Sequence, residues 1–127
     1  MFHIEIDSVT INIHLEHGIY RFLKKSSTGK SRLYHLLVAA SVSGLPATGY
    51  TYQDYVRGLD ISTILVPEKY QVILLDRYDL YKGIGADRIR ECASSSIILM
   101  DCKDVPMISK TVPYCRLKMS ESQMEVF

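Results

Sequence analysis

The stretch Ile19–Val42, IYRFLKKSSTGKSRLYHLLVAASV, decides how this chain is read. It opens on an apolar run, Ile19 to Leu23, of strand length. It then turns basic and hydroxyl-rich over Lys24-Lys25-Ser26-Ser27-Thr28-Gly29-Lys30-Ser31. From Arg32 to Val42 the residues Leu33, Leu36, Leu37 and Ala40 recur at helical spacing. In a strand–loop–helix unit of this kind, backbone N–H groups of the loop and first helical turn face one point, and the helix dipole favours an anion there. Gly29 lets the backbone come close to that anion. Lys30 carries a charge toward it, and the Ser31 hydroxyl suits a hard divalent cation.

Upstream, Phe2, Ile4 and Ile6 alternate on one parity and Val9, Ile11 and Ile13 on the other. The switch at Asp7-Ser8 predicts a hairpin of two short strands. Downstream, Gly44, Pro46 and Gly49 mark Ser43 to Gly49 as a loop, and Tyr50 to Leu59 is expected to hold a helical turn. Ile61 to Val66 reads as a strand closed by Pro67, Gln71 to Leu75 as a second and Ser96 to Met100 as a third, with a helix over Gly85 to Ala93. Tyr114 to Met119 and Gln123 to Phe127 resemble a closing hairpin around Ser120-Glu121-Ser122. The runs at 19–23, 72–75 and 97–100 are continuous rather than alternating, as in strands covered on both faces. Helical segments between them predict a mainly parallel sheet with crossovers, in an α/β fold.

Gly29-Lys30-Ser31 after an apolar strand resembles the Walker A motif of P-loop NTPases, G-x-x-x-x-G-K-[ST], with Lys24 in place of its first glycine. Lys25 stands where MinD/ParA-like ATPases carry an additional lysine, with Ser26 and Ser27 in place of that branch's two glycines. The Phe2–Leu15 hairpin before Gly18 is similar to the opening of ABC-type and SMC-like ATPase domains. Val72-Ile73-Leu74-Leu75-Asp76 resembles Walker B, an apolar strand ending in a carboxylate. The resemblance as a whole is to an ASCE-like core of ABC, SMC or AAA type. It implies a mainly parallel three-layer sheet of P-loop NTPase type with N-terminal and C-terminal β-hairpins, forming one domain over residues 1–127.

For the site, the resemblance implies a nucleotide, ATP with Mg²⁺, on Lys25, Ser26, Ser27, Thr28, Gly29, Lys30, Ser31 and Arg32. Ser31 and Asp76 would be the metal ligands. In ABC- and AAA-like families a glutamate follows the Walker B aspartate and orients the attacking water. Here that residue is Arg77, which cannot accept a proton. Asp79, three residues past Asp76, is the remaining candidate catalytic carboxylate. Weak or absent hydrolysis is therefore expected, in a protein acting as a subunit or regulator of a larger assembly with a protein partner or further copies of itself. The alternative is a pseudo-NTPase, an α/β interaction module that binds a protein or nucleic acid without nucleotide.

Other features narrow the field. With 15 basic and 14 acidic residues, the formal charge of +1 provides no broad footprint for nucleic acid. No apolar run approaches the ~20 residues that span a membrane, and Met1 to Asp7 lack the layout of a signal peptide, so a cytoplasmic location is expected. Cys92, Cys102 and Cys115 form no C-x-x-C pair, and His14 and His17 have no acidic or Cys partner at ligand spacing, so no zinc site is expected. Asp101 and Lys103 follow the third apolar run, where such ATPases place a sensor residue, but a solvated charged turn is the simpler reading. Tyr50, Tyr52 and Tyr55 could stack on a base or a partner, or serve as half-buried packing.

Overall fold

The computed structural model describes residues 2–23, 29–109 and 111–127. Alternation at the start of the chain produces the expected hairpin, β1 (Phe2–Ile6) and β2 (Val9–Ile13), paired antiparallel from Phe2↔Ile13 to Ile6↔Val9. Asp7 and Ser8 have φ of 50° and 65°, the left-handed pair that a two-residue hairpin loop requires if its twist is to match the strands.

The continuous apolar runs form the centre of a second sheet. Its strands are β3 (Gly18–Phe22), β4 (Ala47–Tyr50), β5 (Val72–Asp76), β6 (Ile97–Asp101) and β7 (Tyr114–Cys115). Their spatial order is β4-β5-β6-β3-β7, and every neighbouring pair is parallel. Side chains of β5 and β6 divide by parity. Val72, Leu74, Ile97 and Leu99 join one core cluster, while Ile73, Leu75, Ile98 and Met100 join another. Burial on both faces explains why these runs do not alternate.

Over the first face lies helix α1 (Lys30–Val42), which buries Leu33, Leu36, Leu37 and Ala40, the stripe read from the sequence. It begins two residues before the expected Arg32. The same cluster contains Phe2, Ile4, Val9, Ile11 and Ile13, so the N-terminal hairpin shares a core with α1 and the parallel sheet. The second face carries α2 (Tyr52–Val56), α3 (Ala86–Cys92) and the 3-10 turns Ile61–Thr63 and Tyr78–Tyr81.

Three expectations need correction. Ile61 to Val66 is not a strand: the Asp60 side chain accepts from the Ser62 N–H, and Thr63 Oγ1 donates to the Asp60 carbonyl, closing a 3-10 turn. Local side-chain bonds of this kind compete with strand geometry. Ile61 and Leu65, four apart, then both reach the second core.

The strand lies earlier, within the segment read as a loop, at Ala47-Thr48-Gly49-Tyr50. Pro46 is tolerated because β4 is an edge strand, and the Pro46 carbonyl accepts from Gln71 N at 2.7 Å. A Cβ on Gly49 would lie 2.7 Å from a ring carbon of Tyr34, so the glycine admits the aromatic side chain of α1 rather than breaking the strand.

The C-terminal hairpin is shorter than read. Tyr114-Cys115 is the edge of the parallel sheet, and only β8 (Leu117–Met119) and β9 (Gln123–Val126) form the hairpin. β9 pairs parallel with β2, completing a mixed sheet of order β1-β2-β9-β8. At the crossing from one sheet to the other, Arg116 and Phe127 exchange backbone bonds of 2.7 and 3.0 Å.

Candidate functional site

After β3 the chain crosses to β4 at one edge of the parallel sheet. After β6 it leaves for β7 at the other edge. Adjacent strands whose following connections part in opposite directions open a crevice at their carboxyl ends, the usual position for a ligand in α/β sheets. Lys30 opens the helix that follows β3, and Asp101 closes β6. Lys30 Nζ lies 2.8 Å from Asp101 Oδ1, an ion pair in which both side chains are mostly covered (15% and 23% exposed).

Asp76 ends β5 and is paired in register with Asp101 on the neighbouring strand. Burial, reinforced by the Asp101 charge, pushes the Asp76 carboxyl above the ordinary range, against smaller opposing effects of Arg77 and Lys30. The backbone here is held by Tyr81, whose hydroxyl donates to the Asp76 carbonyl at 2.5 Å. Burial holds the Tyr81 hydroxyl in its neutral, donating form.

Lys30, Asp76 and Asp101 line a cleft of about 650 Å³. Lys30, Ser31, Tyr34 and Val38 form the α1 wall, and Thr51, Tyr52, Asp54 and Arg57 the α2 wall. Leu74 within β5, and Asp76, Arg77 and Asp101 at strand ends, lie between them. The α2 wall is tied to α1 because the Tyr34 hydroxyl donates to Asp54 Oδ2 at 3.0 Å. Asp54 also accepts from Thr51 N and Thr51 Oγ1, and Thr51 Oγ1 accepts from Asp54 N, a reciprocal capping box at the start of α2.

No family model, curated protein or solved structure matches the chain.

Of the residues expected to hold nucleotide, Lys30 and Ser31 line the cleft. Gly29 caps α1 with φ of 96°, packed against Met119 of β8. The Arg32 guanidinium points away from that role, donating to the Glu121 carbonyl in the β8–β9 turn at 3.4 Å. Lys25, Ser26, Ser27 and Thr28 lie outside the described residues. Asp76 and Ser31, the expected metal ligands, line the same cleft.

Asp79 does not line the cleft. Its carboxylate, 3% exposed, receives Arg77 Nε at 3.1 Å and Arg77 Nη2 at 3.0 Å, and accepts from Asp104 N at 3.3 Å. Burial opposes its charge, but these bonds outweigh burial and hold its pKa below the ordinary value. Arg77 is thus part of a forked pair that fastens the turn after β5 to the loop after β6.

Among the described residues, no group of three or more His, Cys, Asp or Glu side chains could hold a metal ion. His14 pairs instead with Glu125 across β2 and β9. All three cysteines are buried free thiols, and burial pushes Cys102 up to about 11 and Cys115 up to about 12. No helix of the described residues is long and apolar enough to cross a membrane. Tyr50 is buried edge-on against Tyr81, while Tyr52 and Tyr55 stack on the same ring at 6.4 and 5.4 Å. The half-buried reading of this cluster holds for Tyr55, whereas Tyr50 is fully buried and Tyr52 extends to the cleft wall.

Asp54 and Arg57 have no place in the sequence reading, and Asp101, read there as a solvated charged turn, is mostly covered and paired with Lys30. Thr51-x-x-Asp54 carried a capping-box signature that marks Asp54 as a fixed carboxylate. No local signal points to Asp101 over its neighbours, because its partner lies on a distant segment.

Proposed function

We propose that this chain is a small nucleotide-binding protein of P-loop type that takes ATP with Mg²⁺, turns it over weakly or not at all, and works as a subunit or regulator of a larger assembly. The observation that carries this reading is the convergence of Lys30, Ser31 and Asp76 on one cleft at the carboxyl ends of a parallel sheet. The ASCE-like form of the fold is supported by the placement of β6 between β3, which leads into the loop, and β5, which ends in Asp76.

The donor set fits a magnesium–phosphate ligand. Ser31, Asp76 and Asp101 offer only oxygen, the chemistry of hard divalent cations. Two partly covered carboxylates stand side by side on adjacent strands, and partial burial and the Asp101 charge raise the Asp76 pKa, charge crowding that a divalent cation would relieve. The chain supplies too few carboxylates for an all-protein cage. That suits Mg²⁺, which usually keeps waters and substrate phosphates beside one or two carboxylates. Ser31 and Asp76 would hold the ion, which would neutralise phosphate charge. Lys30 would exchange Asp101 for the β- and γ-phosphate oxygens, and the first turn of α1, which carries no acidic residue, favours the same anion.

One observation favours the alternative of an interaction module without nucleotide: the Lys30 ammonium already has a partner in Asp101. Calorimetric titration with ATP and GTP, each with and without Mg²⁺, separates the two readings. Saturable binding that weakens in D76N only when Mg²⁺ is present supports the nucleotide site. Absence of binding at millimolar nucleotide leaves the interaction module.

A further inference from the structure

Three carboxylates line the cleft: Asp54, Asp76 and Asp101. Asp101 is engaged by Lys30, and Asp76 stands beside it at the strand ends. Asp54 stands on the α2 wall. Its Oδ2 accepts from the Tyr34 hydroxyl at 3.0 Å, Thr51 N at 2.9 Å and Thr51 Oγ1 at 3.2 Å. Its Oδ1 has no hydrogen-bond partner among the described residues. Three bonds on one oxygen fix the carboxylate in place and leave the other oxygen to accept a proton. Asp79, by contrast, spends both oxygens on Arg77 and lies outside the cleft lining.

We infer that Asp54 is the catalytic residue that orients and deprotonates the attacking water, the part that Arg77 cannot play and that Asp79 is not placed to play. This rests on the nucleotide reading of the cleft. The water oxygen forms a bond to the γ-phosphorus as the bond from that phosphorus to the β–γ bridging oxygen breaks. The bridging oxygen leaves on ADP with the electron pair. The water's proton passes to Asp54 Oδ1 and is then released to solvent, so the products are ADP, inorganic phosphate and one proton. Orientation and general-base assistance of this kind contribute about 10²–10⁴ to a rate.

The test uses the full chain with Mg-ATP, following nucleotide affinity by calorimetry and phosphate release in parallel. D54N keeps an amide oxygen for the Thr51 and Tyr34 bonds and removes only the proton-accepting oxygen. It is expected to bind Mg-ATP like the wild type and to lose at least about tenfold in phosphate release. D79N is expected to bind Mg-ATP and release phosphate at the wild-type rate. Should D79N fail to fold, the comparison of D54N with the wild type decides alone. Wild-type turnover in D54N overturns the inference, as does loss of turnover on removing Asp79 with binding intact. Binding by the wild type with phosphate release at the buffer rate also overturns it, while leaving the nucleotide site standing. No binding at all refutes both.

Discussion

Lys30 and Asp101, 71 residues apart in the chain, meet at 2.8 Å where the connections leaving β3 and β6 diverge. The contact joins the start of α1 to the end of a central strand, and both residues line the cleft. It also leaves Asp76 beside an acidic neighbour, with burial opposing its charge. The electrostatics of the site are therefore those of two carboxylates sharing one ammonium.

That sharing has a pH signature. An unfolded Asp76 would release its proton near the ordinary value of about 3.9, while the folded carboxyl holds it to higher pH. Between the two values the folded state binds more protons, so this group's contribution is full below the unfolded pKa and is lost as pH rises through the folded one. Urea midpoints of the wild type should fall relative to those of D76N across that window. A constant difference between the two proteins at every pH would contradict the assignment.

The Arg77–Asp79 fork makes a second prediction. R77A leaves the Asp79 carboxylate covered, with the Asp104 N–H but no guanidinium. Breaking a fully buried pair costs about 3–5 kcal/mol, and since Arg77 is one-third open the expected loss is about 2 kcal/mol. R77A/D79A should recover part of it, because no charge is then stranded. Equal instability of the single and double variants in denaturant titration would show that the carboxylate is not the source of the cost.

Gly49 and Tyr34 form a tight contact between β4 and α1. A Cβ at residue 49 would lie 2.7 and 2.9 Å from two Tyr34 ring carbons, and that ring is tethered through its hydroxyl to Asp54. G49A should cost about 1–3 kcal/mol, the usual range for overpacking. In a Y34A background the same substitution should cost much less, and a double-mutant cycle reads that coupling directly.

Gly29 is constrained in a different way. Its φ of 96° is strained for any L side chain, whatever the space around it. G29A should lose about 1–2 kcal/mol, and M119A should fail to restore it although Met119 Sδ is the nearest atom, since the strain is in the backbone. Full rescue by M119A in thermal unfolding would locate the cost in packing instead.

The central strands and α1 were legible because their signals are local: unbroken apolar runs at 72–75 and 97–100, and the stripe Leu33, Leu36, Leu37, Ala40. Edge strand β4 was hidden because Pro46 and Gly49 carry the signature of a loop, and only the Tyr34 ring on another element accounts for the glycine. Ile61 to Val66 misled because its β-branched run is overruled by one Asp60 cap. In the site, Lys30, Ser31 and Asp76 stood out by motif spacing. Asp101 and Arg57 had no such spacing, since what makes them site residues is their position relative to distant segments. Asp54 carried a local cap signature, but its place on the cleft wall is a tertiary fact.

The nucleotide site is tested most directly by calorimetric titration of Mg-ATP into the wild type and K30A, with circular dichroism showing that both are folded. Saturable binding by the wild type and its loss in K30A is the predicted result. No binding by the wild type at millimolar Mg-ATP, or equal binding by K30A, would contradict the account.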